Sequence, residues 1–210
     1  MSLETGLIQA EDGVQRCWWH GNDPEYLKYH DEEWGPPVKD DRRLFEKISL
    51  EGFQAGLSWL TILRKRNHFR QAFDNFEYQK IAVYGDDKIA ALMLDAGIVR
   101  HRGKIEAVIN NAQQMTDILK EFDSFSAYIW QFETPEKERP PLCDFQTLKE
   151  ITMNAQSIAL SKDLKKRGWK FVGSTTCYAF MQSMGMVNDH VVGCASRRNI
   201  EHLRMNFKRP

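Results

Sequence analysis

Two Cys/His pairs lie near opposite ends of this chain: Cys17 with His30, and His190 with Cys194. Together they form a Cys2His2 set, the commonest donor set for a structural Zn²⁺. His190 and Cys194 are four apart, so on a helix both side chains leave from one face. Cys17 and His30 are thirteen apart and need an intervening turn. A small zinc finger gathers its ligands within a few tens of residues, and this order does not match one. If the four meet, any fold of the chain must bring its N-terminal and C-terminal regions to one point. Spacing alone leaves open four unrelated residues, because buried cysteines and core histidines are common.

The chain has 210 residues, which fits one domain with room for two lobes. Four cysteines without a signal-like leader favour metal ligands or free thiols over a disulfide framework. The first sixteen residues, MSLETGLIQAEDGVQR, carry no basic start and no apolar run, so they do not read as a secretion signal. No stretch approaches the roughly 18 apolar residues of a membrane span. The formal net charge is +0, so attraction to a polyanion requires a local basic face rather than bulk charge.

Helical periodicity runs almost throughout. Leu44, Phe45, Ile48, Phe53 and Leu57 recur at helical spacing behind Asp40 and Asp41, both plausible caps, and Ser58 opens a second run through Ile62 and Leu63. Further helices are expected from Asp86, over Lys104–Leu119, around Phe125–Trp130, over Asn154–Arg167 and over Ser174–Met184. The charged segment 133–141, with Pro135, Pro140 and Pro141, is the candidate break between lobes. The expected class is all-α, with roughly eight to ten helices. The terminal NIEHLRMNFKRP reads as peripheral.

Two constellations carry chemistry. In LSKDLKKRGWKFVGSTTCYAFMQSMG a basic helix ends at Gly168, a tight segment follows, and a new helix starts near Ser174 or Thr175. Gly168 and Gly173 allow the positive φ that such a turn needs. The new helix offers free N–H groups and a positive dipole end to an anion, flanked by Lys165, Lys166, Arg167 and Lys170. A DNA phosphate suits that arrangement, as does a plain helical hairpin with a solvated face. Arg100-His101-Arg102 with Lys104, and Arg64-Lys65-Arg66, are two more basic clusters. Trp18, Trp19, Tyr26, Tyr29 and Trp34 crowd the first Cys/His pair, and Glu51 stands in an apolar stretch eight residues before Trp59. On one helix those two would sit about two turns apart on neighbouring faces. A buried acid beside aromatic faces suits a flat cationic heterocycle; an exposed glutamate beside a core tryptophan is the plainer alternative.

The segments RCWW, DPEYLKYHDEEWG, LFEKISLEGFQAGLSWLTIL, DAGIVRHRGKIEAVINNA, LSKDLKKRGWKFVGSTTCYAFMQSMG and VNDHVVGC, in this order, resemble the DNA-3-methyladenine glycosylase I family from about Arg16 to Cys194. The resemblance implies a helix–hairpin–helix DNA glycosylase fold with a structural zinc clasping the two ends through Cys17, His30, His190 and Cys194. It places the family's base-contacting acid on Glu51, with Tyr29, Trp59, Trp19 and Trp34 around the base, and a DNA-backbone anchor on Lys166, Lys170, Gly173, Ser174 and Thr175. The implied substrate is alkylated double-stranded DNA, and the implied setting a bacterial cytoplasm, with a monomeric, membrane-free enzyme. The expected division is an extension 1–15, a two-lobed glycosylase domain 16–195 and a tail 196–210. No lysine stands out in the pocket segments as a Schiff-base nucleophile, which suits hydrolysis without lyase action. Asp189 is expected to have a structural or hydrogen-bonding role, and Cys143 and Cys177 to be core thiols. The competing functions are a non-catalytic damage-binding protein on the same fold and a purely structural zinc-clasped protein.

Overall fold

The computed structural model describes residues 4–21 and 23–210. A short antiparallel ribbon opens the described chain: β1 (Leu7–Gln9) pairs with β2 (Gln15–Cys17), Leu7 opposite Cys17. Three-residue strands are too short to show an alternating pattern, which is why the helical periodicity did not predict them. Among the described residues, everything else of regular structure is helical. α1 (Pro24–Glu32) starts with proline at its first position and is capped by Asp23, whose side chain accepts from the N–H groups of Glu25 and Tyr26.

α2 (Asp41–Gln54) is the central helix. Leu44, Phe45 and every residue from Lys47 to Phe53 are buried, so it is packed nearly all round. Both expected caps are used, on different helices. Asp40 accepts from the N–H of Arg43, whereas Asp41 accepts from the N–H groups of Phe125 and Ser126 at 3.0 and 2.8 Å. α2 and α3 (Trp59–Ala72) are separate, with Gly56 at φ +80° between them and Ser58 capping α3. Glu51 and Trp59 therefore do not share a helix, and their relation is set by packing rather than by helical phase.

α4 (Tyr78–Ile81), α5 (Asp86–Leu94), the long α6 (Arg102–Glu121) and α7 (Phe125–Ile129) complete the first part of the bundle. Phe53, Phe69, Phe73 and Phe76 form a ring cluster beneath α2 and α3, with Phe53 and Phe69 centroids 4.6 Å apart. α8 (Phe145–Glu150), α9 (Ala155–Lys166) and α10 (Ser174–Ser183) follow, and α10 packs on both α9 and α2.

The segment 133–141, the candidate break between lobes, is anchored at its start. Glu133 forms ion pairs with Arg139, Arg204 and Arg209, and Thr134 is buried. The expected peripheral tail is largely a helix, α11 (Ala195–Asn206). It buries Ile200 and Arg204, and Phe207 beyond it packs on Trp130 with centroids 4.5 Å apart. Cys143 and Cys177 are buried free thiols. Among the described residues no helix is long and apolar enough to cross a membrane.

Candidate active site and metal centre

The four Cys/His side chains meet. All are buried, and their donor atoms lie within 4.8 Å of one another. Cys17 enters from the end of β2, His30 from α1, and His190 and Cys194 from the turn before α11. A tetrahedral zinc with Zn–S near 2.3 Å and Zn–N near 2.0–2.1 Å sets sulfur and nitrogen ligands about 3.5–3.6 Å apart. The separations here are 3.7 Å from Cys17 Sγ to His190 Nδ1, 3.5 Å from Cys194 Sγ to His30 Nε2, and 3.4 Å from Cys194 Sγ to His190 Nδ1. Each imidazole is oriented by its other nitrogen: His30 Nδ1 is 2.8 Å from Asp31 Oδ1, and His190 Nε2 is 3.2 Å from the Trp34 carbonyl. Arg16 in turn holds Asp31 at 2.9 Å. Hydrogen bonding from Cys17 and from both histidines favours the thiolate at Cys194; the same bond and burial keep the proton on Cys17.

Beside this cluster opens a cavity of about 260 Å³. Trp18, Trp19, Tyr26, Tyr29 and Trp34 line it from the N-terminal segment, Glu51 and Gln54 from α2, and Trp59 from the start of α3. Leu148 and Lys149 of α8, Ala179 and Gln182 of α10, and Asp189 close the other side. Every residue expected to meet a base thus lies on one cavity. Trp34 links the cavity and the Cys/His cluster, with its ring 4.9 Å from Trp19 and 4.6 Å from His190 between centroids.

Glu51 is 5% exposed, and its partner was not foreseen. Lys47, one turn earlier on α2, places Nζ 2.8 Å from Glu51 Oε1, donates to the Tyr29 hydroxyl at 2.7 Å, and stands 3.2 Å from the centroid of the Trp59 ring. Burial pulls Lys47 down to about 8, against the opposing attraction of Glu51. Burial also holds the Tyr29 phenol well above its usual range, so it stays protonated. The i, i+4 spacing of Lys47 and Glu51 in LFEKISLEG was the available signal. Asp189 accepts from the Tyr178 hydroxyl at 2.7 Å and from Gln182 Nε2 at 2.8 Å, both on Oδ2, and burial pushes its carboxyl up.

The basic hairpin spans residues 167–173 between α9 and α10. Positive φ falls on Gly168 (+84°) and Phe171 (+56°), whereas Gly173 has φ −63° and stands at the cap of α10 with no side-chain bond to the first turn. The turn is braced from α6: Asn111 accepts from the Lys170 N–H at 2.8 Å and donates to its carbonyl at 3.0 Å, and Asn110 donates to the Gly168 carbonyl at 2.8 Å. Lys166, Lys170 and Thr175 are exposed, and Gly173 and Ser174 half-buried. Arg167 is engaged with Glu121 and Asp163. In the third basic cluster Arg64 pairs with Asp23 and Arg66 with Glu33, so those charges serve the fold.

This helical scaffold, with an aromatic, acid-bearing cavity beside a Cys2His2 cluster, belongs to the methyladenine glycosylase family, whose model matches residues 19–198. The chain is 49% identical over 182 residues to DNA-3-methyladenine glycosylase 1 of Escherichia coli (strain K12), covering 86% of this chain and 96% of that protein. It is 48% identical to DNA-3-methyladenine glycosylase of Haemophilus influenzae, covering 85% and 96%. Among solved structures it matches a crystal structure of 3-methyladenine DNA glycosylase I with TM-score 0.80 and 46% identity, over 86% of this chain and 98% of that one. It also matches a variant of such an enzyme in complex with 3-methyladenine, with TM-score 0.79 and 37% identity over 85% and 95%.

Proposed function

We propose that this protein is a DNA-3-methyladenine glycosylase that extrudes the damaged nucleotide from alkylated double-stranded DNA and hydrolyses its glycosidic bond. The observation that carries this is the convergence of Glu51, Tyr29, Trp19, Trp34 and Trp59 on one cavity in a chain of the methyladenine glycosylase family. Methylation at N3 gives adenine a positive charge and weakens its bond to the sugar, so the base departs neutral and needs little acid catalysis. The protein must unstack the base, select it, and stabilise an oxocarbenium-like sugar while water attacks C1′. Trp59 and Trp19 stack on the base, Trp34 and Tyr29 close the wall, and Glu51 accepts a hydrogen bond from the N6 amino group on its N6/N7 edge. Lys47 does not line the cavity, and its donors are directed to Glu51, Tyr29 and Trp59; the lysine on the wall, Lys149, stands across the cavity from Glu51 with its ammonium over the Phe145 ring, and the proposed reaction is hydrolysis without a Schiff base.

Zinc fits the Cys17, His30, His190 and Cys194 donors, and it would supply a structural cross-link, since four protein ligands leave no open position for water. The segment from Lys166 to Thr176 fits a helix–hairpin–helix anchor of the glycosylase superfamily. Lys166 and Lys170, with the free N–H groups at Gly173, Ser174 and Thr175, would take a phosphate there. Residues 16–195 would form the glycosylase domain, with 1–15 as an extension whose first three residues lie outside those described. Residues 196–210 would form a tail that packs back on the domain. The enzyme is proposed to act as a monomer in the bacterial cytoplasm, where its DNA lies.

Release of free 3-methyladenine from methylated DNA tests the whole reading. Retention on DNA without release would indicate a damage-binding protein, and neither outcome a structural one. Glu51→Gln should lower both excision and free-base binding; unchanged values would remove Glu51 from the base site.

A further inference from the structure

The buried ammonium of Lys47 stands behind the cavity wall, not on it. It has three hydrogens and three neighbours: the Glu51 carboxylate at 2.8 Å, the Tyr29 hydroxyl at 2.7 Å, and the Trp59 ring face, whose centroid is 3.2 Å away. Lys47 and Glu51 are 6% and 5% exposed, so water does little to screen either. Two consequences follow for a base in the cavity. The negative charge of Glu51 is matched by a positive charge one hydrogen bond behind it. The π face of Trp59 that turns to Lys47 already bears a cation, which weakens the pull of the same indole on a second cation.

Resting on the proposed contact between Glu51 and the lesion, we infer that Lys47 is a specificity-determining residue that neutralises Glu51 and so makes the cavity read hydrogen-bond pattern and shape more than positive charge. The other charged groups on the cavity wall, Asp189 and Lys149, are themselves one of each sign. At pH 7 Lys47 is still largely protonated, because burial lowers it only to about 8. A cationic lesion held by Glu51 would stand roughly 6 Å from Lys47 Nζ, two hydrogen-bond lengths away, where a unit charge still counts at an effective dielectric constant near 20.

The test compares two free ligands at pH 7 by calorimetry. One is the permanently cationic 3,9-dimethyladeninium, whose N9 methyl stands for the sugar carbon. The other is 9-methyladenine, the same ring without the N3 methyl and uncharged at that pH. Removing the charge with Lys47→Met, or with Lys47→Gln should the first variant fold poorly, is expected to raise the preference for the cation over the neutral base about tenfold or more relative to wild type. A purely structural role would move both affinities together and leave the ratio unchanged. A ratio that stays constant or falls, in a variant with native near-ultraviolet dichroism, overturns the inference about Lys47 alone. Glu51→Gln separates the premise: if it leaves both affinities unchanged, the Glu51 contact fails and the inference falls with it.

Discussion

Replacing Arg204 by methionine isolates what α11 contributes. The guanidinium is 2% exposed; it donates to the carbonyl of Gly185 and, at 3.0 Å, to Glu133 Oε1. Burial lowers it only to about 10, so it is cationic at neutral pH. Gly185 is itself fixed: its φ is +76°, and a Cβ there would come within 2.5 Å of the Pro37 nitrogen. Methionine keeps most of the aliphatic volume and removes both bonds. Orphaning the buried Gly185 carbonyl costs about 1–3 kcal/mol. Loss of the Glu133 contact adds about 1 kcal/mol, because Glu133 retains Arg139 and Arg209. Against this, an expensive buried cation whose Nε lacks a partner disappears, recovering about 1–2 kcal/mol. The net expectation is a loss of about 1.5 kcal/mol, lowering Tm by about 3–6 °C for a chain of this length. Urea unfolding followed by tryptophan fluorescence reads the change as a lower midpoint at unchanged slope. An unchanged or higher midpoint would show that desolvation of Arg204 outweighs its bonds, as happens for some buried ion pairs.

Cys17→Ser or His190→Ala should lose zinc and stability first, with activity falling as a consequence; metal analysis beside an unfolding curve checks this, and full activity in a folded, metal-free protein would refute the proposed structural cross-link. The lysine that packs behind the cavity predicts a pH signature. Its folded-state value, about 8, lies below the ordinary 10.5, so between those pH values the unfolded chain binds more protons and stability rises with pH. Wild type should therefore gain stability relative to Lys47→Met from pH 8 to pH 10.5, and parallel profiles would contradict the burial of a charged lysine.

The helices were legible because their apolar residues recur at helical spacing and their starts carry Asp40, Ser58 and Asn154, each of which caps as its sequence position suggests. What failed was long-range. Glu51 and Trp59 look like one helix by count, yet Gly56 at φ +80° turns the chain between them. The apparent basic surface at Arg64 and Arg66 is consumed by Asp23 and Glu33, which lie over thirty positions away in sequence. α11 was hidden by its charge: only a narrow stripe, Ile200 and Arg204, faces inward, and one member is an arginine. Lys47 carried one local signal, its i, i+4 spacing from Glu51, but its burial did not show. Nothing local says that a lysine is buried, because its partners Tyr29 and Trp59 come from two other helices. The cavity residues were found by family resemblance, not by periodicity, which does not report which polar side chain points inward.

The Cys/His cluster also imposes an order on synthesis. His30 is separated from Cys194 by 164 positions, so the donor set stays incomplete until nearly the whole chain has been made. At about 5–20 residues per second, the first pair waits on the order of ten seconds or more for the second. A prematurely ended chain can never assemble all four donors. Closure of the cluster is therefore withheld from any fragment that stops short of Cys194.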